Sequence, residues 1–414
     1  MRITEKMNYN CKKIKMKTLN TRALLLLLYI ILTSCAKDKP LKIDEPIDFV
    51  PVSRIGIDKM AHTSSLYTDD YAKDGTMWAV YMASENDLFE TIESDASTYL
   101  VKLNGKDKSV IERHKILSRG ELVDNFQVST KYSPYDPLAI VFKDFVRCYS
   151  VCANENDQEG LRYIYRDFNK KTKTFGEVKS VYFITDKAGT EQGTLMSNKT
   201  FFDFFSKNQA LSNDGVKYLI MAGGLISYRG YYYTFLGAYP AGMSGAIVRS
   251  RNGIEWETVF PLPTVFGHIF EASFVIRDNK LILISRNDTR REYVIAKFNM
   301  TGSMETSRTI TDCSPSRPRI FIHKNEIFTM YNGSETYLDK IQVTRNRVIL
   351  EKININTLAA ETSREILTNF SFQYYSTAFN NSNDKLYIMW TNGMQLNMPA
   401  QMKDAIVWKL FDYF

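Results

Sequence analysis

One recurrence narrows the fold of this chain more than any other feature. A short β-rich run, a tight polar turn, a second β-rich run, a loop and a third run return repeatedly. The clearest copy is residues 274–276 (Phe-Val-Ile), a turn at 277–279 (Arg-Asp-Asn), 281–284 (Leu-Ile-Leu-Ile) and 293–298. A second copy has 320–322, a turn at 323–325, 327–331 and 337–343, and a third has 378–379, a turn at 380–384, 386–390 and 405–410. Vaguer units pair 77–82 with 98–103, 138–142 with 162–165, and 218–221 with 246–249. After residue 60 almost nothing carries the 3.6-residue period of a helix. Six units of strands repeating every 40–60 residues or so predict an all-β, six-bladed β-propeller. Residues 190–212 break the pattern and are expected to form an insertion near one mouth. With 25 Phe, 25 Tyr and 4 Trp, the chain has rings enough for a large core and some surface besides.

The formal charge of +7 does not mark a nucleic-acid binder, because of where it lies. Residues 1–34 carry Arg2, Lys6, Lys12, Lys13, Lys15, Lys17 and Arg22 against Glu5, and the remainder holds 46 basic and 45 acidic residues. A nearly neutral body has no global field for a polyanion. The basic stretch precedes an apolar run at 23–32, a length suited to the hydrophobic region of a signal peptide and too short for a membrane-spanning helix. It ends in Leu32-Thr33-Ser34-Cys35, which resembles a bacterial lipobox. That resemblance implies a signal peptide over 1–34, acylation of Cys35, export across the inner membrane and a lipid anchor in the envelope, with 35–50 as a charged, Pro-containing tether and 51–414 as the propeller. Lys37 and Asp38, just past the Cys, weakly resemble a surface-export signal of Bacteroidetes lipoproteins. Of the remaining cysteines, Cys148 and Cys152 would stand about 13 Å apart along an extended strand, too far for a disulfide. With no CxxC pair and four scattered histidines, neither a metal nor an organic cofactor is expected.

Ser250-Arg-Asn-Gly-Ile-Glu-Trp256 is similar to the Asp-box of sialidase-type propellers, with Asn252 in place of the acid. In that turn Gly supplies a positive φ and the Trp packs beneath. Further residues extend the resemblance over 51–414. Glu271 and Arg286, fifteen apart across one hairpin, are similar to a pair found in the family. Arg317, in Ser316-Arg317-Pro318, resembles the Arg that opens the next blade, although Arg319 is equally eligible. Counting back from the turn of the last unit, with one extra turn residue, reaches Tyr375, beside Tyr374. Arg54, in Ser53-Arg54-Ile55, resembles the family's first Arg, and Asp87, in the loop after the first long strand, its acid.

The resemblance implies an exo-acting, retaining glycosidase. Arg54, Arg286 and Arg317 would hold the carboxylate of sialic acid or a related acidic sugar by charge-assisted hydrogen bonds. A carboxylate nucleophile would be repelled by that charge, so Tyr375 would attack with Glu271 as its base, and Asp87 would protonate the leaving oxygen. Each residue also has a plainer reading: Glu271 and Arg286 as a hairpin salt bridge, Arg54 as a linker residue, Asp87 as a solvated loop acid. The aromatic stretch 228–235 suits either sugar faces or blade core. The alternative is a propeller that binds carbohydrate, or serves envelope assembly, without catalysis. It predicts that each Arg already has an acidic partner.

Overall fold

The computed structural model describes residues 41–43, 50–54, 56–87, 93–156, 160–184, 193–197, 200, 218–239, 245–263, 269–287, 290–334, 336–338, 341–343, 345–368, 371–380, 385–393 and 405–411. Residues 1–40, with Cys35 and the leader, lie outside them. From Leu41 to Phe414 the chain forms one compact unit. Every named element in it is a strand. Among the described residues six sheets of four to six strands follow one another in chain order, with one small hairpin between the first and second and another inserted within the fifth.

Each sheet is built on an antiparallel meander, here called a blade, and two of them add an outer strand in parallel. Blade 1 is Met60–Thr68, Met77–Ser84, Ser97–Leu103 and Val110–Ser118. The innermost strands of blades 2 to 6 are Tyr135–Val141, Tyr218–Tyr228, Ile269–Arg277, Arg319–His323 and Ser371–Asn380. Burial explains the run lengths seen in the sequence. A second strand lies under neighbours on both faces, so Met77–Ser84 is buried at every position and reads as a continuous apolar run. An outer strand such as Met304–Ile310 alternates half-buried with exposed residues.

The core is divided among the gaps between blades. Among the described residues there are six apolar clusters, centred on blades 1–2, 2–3, 3–4, 4–5, 5–6 and 6–1. The last closes the ring, packing Ala61, Tyr81 and Val101 of blade 1 against Ala378, Tyr387 and Met389 of blade 6. Cys148, Cys152 and Cys313 are buried, as core residues should be.

Closure also corrects the expected tether. Val50–Pro51 pairs antiparallel with Trp408 and Val407 as the outer strand of blade 6, so the start of the chain completes its end. Leu41–Ile43 runs parallel to Ile366, Leu367 and Thr368 on the outer edge of blade 5. The part of 35–50 from Leu41 on therefore contributes a strand to the fold. The expected insertion is corrected likewise where it is described: Thr194–Leu195 forms an outer-edge strand of blade 3, away from the innermost strand.

The Asp-box-like segment performs as its residues require. Ser250 Oγ accepts the Gly253 N–H at 2.8 Å, and Asn252 Oδ1 accepts the N–H groups of Ile254 and Glu255 at 2.8 and 3.0 Å. Gly253 has φ +73°, and a Cβ there would lie 2.4 Å from Tyr149 Oη. Trp256 is fully buried and donates to the Gly253 carbonyl at 3.2 Å. Tyr149 of blade 2 donates to the same carbonyl at 2.7 Å, so this turn locks two blades together. A second recurrent turn escaped the sequence reading. Asn104, Asn169 and Asn354 each cap following N–H groups through Oδ1, and the residue four further on (Lys108, Lys173, Leu358) takes φ of 59–60° and donates its N–H to the Asn carbonyl.

Candidate functional site

Five of the six innermost strands lose register near their start. Two residues of the inner strand face one of its neighbour at 63–64, 136–137, 271–272 and 374–375, and three face one at 223–225. These are β-bulges, which bend a strand and re-aim a side chain. Thr63, Asp136, Gly224 and Glu271 have φ of 47°, 48°, 85° and 56° there, so non-glycine residues hold the left-handed conformation at one level of three blades. Blade 5 reaches the same level differently. Pro318 has no N–H to offer a ladder, the paired strand starts at Arg319, and Arg317 stands six before the last paired residue, His323. Glu271 stands likewise six before Arg277.

That register corrects one assignment. In blade 6 the last pair is Asn380 with Lys385, so four residues make the turn where blade 4 uses two. Six before Asn380 is Tyr374. The expected Tyr375 is its neighbour within the bulge; the miscount came from allowing one extra turn residue instead of two. The side chains of both tyrosines lie outside the described residues.

At this level four charged side chains meet among the described residues. Glu271 accepts from Arg286 Nη1 through Oε2, and from Arg317 Nε and Nη2 through Oε1 at 3.3 and 3.2 Å. Arg317 Nη2 also donates to Asp136 Oδ1 at 2.9 Å. Blade 5 faces blade 2 across a ring of six, so the Arg317–Asp136 bond spans the channel. All four residues are buried, between 1% and 7% exposed. Burial pushes the Glu271 carboxyl up, but the charges and hydrogen bonds of Arg286 and Arg317 outweigh it and hold the group below the ordinary range. Among the described residues the result is a desolvated, charge-balanced quartet of two carboxylates and two guanidiniums.

The structure does not bring Arg54 and Asp87 into this quartet. Arg54 donates to Asp58 Oδ1 from Nε and Nη2 at 3.0 and 2.6 Å, pairs with Glu85 at 2.9 Å and stacks 5.1 Å from the centre of the Tyr99 ring. The innermost strand begins after it, and the bulge position of blade 1 is Thr63, nine residues further on. Asp87 takes a structural part: its backbone N–H donates to Ser84 Oγ at 2.9 Å and its carboxylate accepts the Asp95 N–H, stapling the loop. Each of the three arginines thus has an acidic partner. Arg319 lies two residues along the strand from Arg317 and faces the channel beyond the quartet, donating to Thr377 Oγ1 at 3.1 Å. In the aromatic stretch, Tyr233 and Phe235 are blade core, with Tyr228 and Tyr231 packed against them.

Asp136 is the residue that sequence reading missed. Its signal was positional: an acid just before Pro137 and the apolar run of 138–142, where Glu271 stands before its own strand.

No protein-family model and no curated protein sequence matches this chain. Solved structures do. A Trypanosoma rangeli sialidase in complex with 2,3-difluoro-KDN superposes with a TM-score of 0.51 at 12% identity, covering 90% of this chain. The same organism's sialidase as a covalent intermediate with 2,3-difluorosialic acid gives 0.50 at 12% identity and 90% coverage. This chain spans 58–59% of the length of those sialidase chains. A neuraminidase-like protein from A/bat/Guatemala/164/2009 gives 0.44 at 11% identity, covering 89% of this chain and 95% of its own. Fold and comparison agree: the chain is a β-propeller of the sialidase type, similar in architecture to glycosidases.

Proposed function

We propose that this propeller recognises glycans at the mouth where the bulges converge, and that it does so without sialidase turnover. The observation that carries this reading is the pairing of charges. A fork of three guanidiniums for a substrate carboxylate needs an excess of positive charge, whereas here Glu271 and Asp136 balance Arg286 and Arg317, and Arg54 is engaged elsewhere. A third carboxylate brought to a neutral, desolvated quartet gains little and has its own desolvation to offset. Neutral hydroxyls, by contrast, exchange hydrogen bonds with such a cluster at small cost. The test is binding of the full chain to a panel of immobilised neutral and acidic glycans. The reading expects retention on neutral termini that Arg286→Met weakens at least tenfold; retention on acidic termini alone would overturn it.

A second reading, an exo-acting retaining glycosidase, is favoured by one observation: the register puts Tyr374 at the ring position equivalent to Glu271. Tyr374 would be its nucleophile and Glu271 the base. Under either reading we place the protein in a bacterial envelope, lipid-anchored through Cys35. Because Leu41 already belongs to blade 5, residues 36–40 would be the whole tether and would hold the propeller within about 18 Å of the bilayer. A Cys35→Ala variant should lose the lipid mass and the membrane association together.

A further inference from the structure

Beyond the quartet the channel opens into a cavity of about 530 Å³, walled by residues of all six innermost strands. That volume is in the range of small-molecule sites. The bulges lie at one end of the innermost strands, and this cavity lies along their other half: Arg319 follows Arg317 by two residues, and Thr377 follows Tyr374 by three. It therefore lies further along the channel than the quartet, close enough that the Asp136 charge is felt at Tyr67. The exposed residues Asp70 and Ser227 mark its open end.

Its lining is chemically one-sided. Among the described lining residues Arg319 is the single cation and Asp70, at the exposed rim, the single acid. Arg319 sits deep between the blades yet keeps part of its surface accessible, and it lines the cavity. Gly224, with φ +85°, makes room for it: a Cβ there would stand 3.0 Å from Arg319 Nη1. Crowding by protein draws its guanidinium pKa down to about 10, with Tyr67 opposing. Tyr67 also lines the cavity, and its hydroxyl accepts the Ala139 N–H at 2.9 Å. Burial pushes that phenol up to about 12, so it keeps a proton to donate at neutral pH. Leu225, Ile226, Tyr232 and Phe379, all half-buried, supply apolar wall between these polar groups.

We propose that this cavity binds a small organic carboxylate, its anionic end on Arg319 and Tyr67 and its body against the apolar wall of Leu225, Ile226, Tyr232 and Phe379. A guanidinium and a phenol are both donors, and together they complement a carboxylate. A cation would meet Arg319, and a neutral apolar molecule would desolvate it without return.

The test is calorimetric titration of the full chain with D-glucuronate and benzoate, against glucose and benzyl alcohol as neutral counterparts of similar shape. At least one acid should bind ten or more times more tightly than its neutral counterpart. Arg319→Met should weaken that acid tenfold or more. Ser227→Trp, at the exposed rim and so safe for folding, should block it by steric closure. Equal affinity for acid and neutral counterpart, no binding of either acid at 10 mM, or full affinity retained in both variants would each overturn the proposal.

Discussion

Arg317→Met is the perturbation that the quartet makes most informative. It deletes the three hydrogen bonds and two ion pairs that Arg317 makes to the other described members of the quartet, and leaves Glu271 and Asp136, 2% and 1% exposed, with Arg286 as the one guanidinium of the quartet. Breaking a buried pair by removing one partner costs roughly 3–5 kcal/mol, a large part of a domain's usual stability of about 5–15 kcal/mol. Urea unfolding at pH 7 should show that loss. Adding Asp136→Asn should return about 1–2 kcal/mol of it, because one stranded charge is gone. The pH dependence gives an independent sign. In the wild type the Glu271 carboxyl is held below its ordinary value of 4.5, so its contribution is present above that pH and lost as the pH falls through the lowered folded value. In Arg317→Met one of the two guanidiniums that oppose burial is gone, the folded value moves up toward the unfolded one, and less stability should be lost than in the wild type as the pH falls below about 5. A loss under about 1 kcal/mol, or the same acid response in both proteins, would refute the view that the quartet holds its charges by mutual compensation.

Three further outcomes follow from the fold. Gly253→Ala should cost about 2 kcal/mol or more in urea unfolding, since the left-handed turn and the contact with Tyr149 both resist a Cβ. Deleting residues 1–40 should leave the unfolding midpoint unchanged, whereas deleting 1–51 removes the strands on blades 5 and 6 and should lower it measurably. Lys108 is buried, with Nζ donating to the carbonyls of Gly75 and Gly105. Burial draws its pKa down to about 8 against the pull of Asp107 and Asp74. The unfolded chain then holds the proton that the native one has lost, so stability should rise between pH 8 and 10.5, and Lys108→Met should flatten that rise.

The radial repeat was legible because β-rich runs and their two-residue turns are local features. Asp278-Asn279 and Lys324-Asn325 take positive φ at both positions, and such turns are visible as residue types. Glu271, Arg286 and Arg317 were legible for the same reason, lying near those turns at fixed offsets. Tyr374 was displaced by one because the turn of blade 6 is longer, and length variation is what counting cannot see. Asp136 was missed because its partner is 181 residues away across the channel, a contact that only ring closure creates. Arg54 was drawn into the fork by motif order alone, and its actual partners, Asp58 and Glu85, belong to its own neighbourhood. The tether was misjudged because two- and three-residue edge strands carry too little pattern to be read.

The most direct test of the account is the release of a fluorogenic leaving group from a sialic acid glycoside by the full chain, with Glu271→Gln and Tyr374→Phe alongside. A charge-balanced ring predicts no turnover above the buffer rate by folded wild-type protein. Turnover by the wild type that both substitutions abolish would contradict it and establish a working sialidase site.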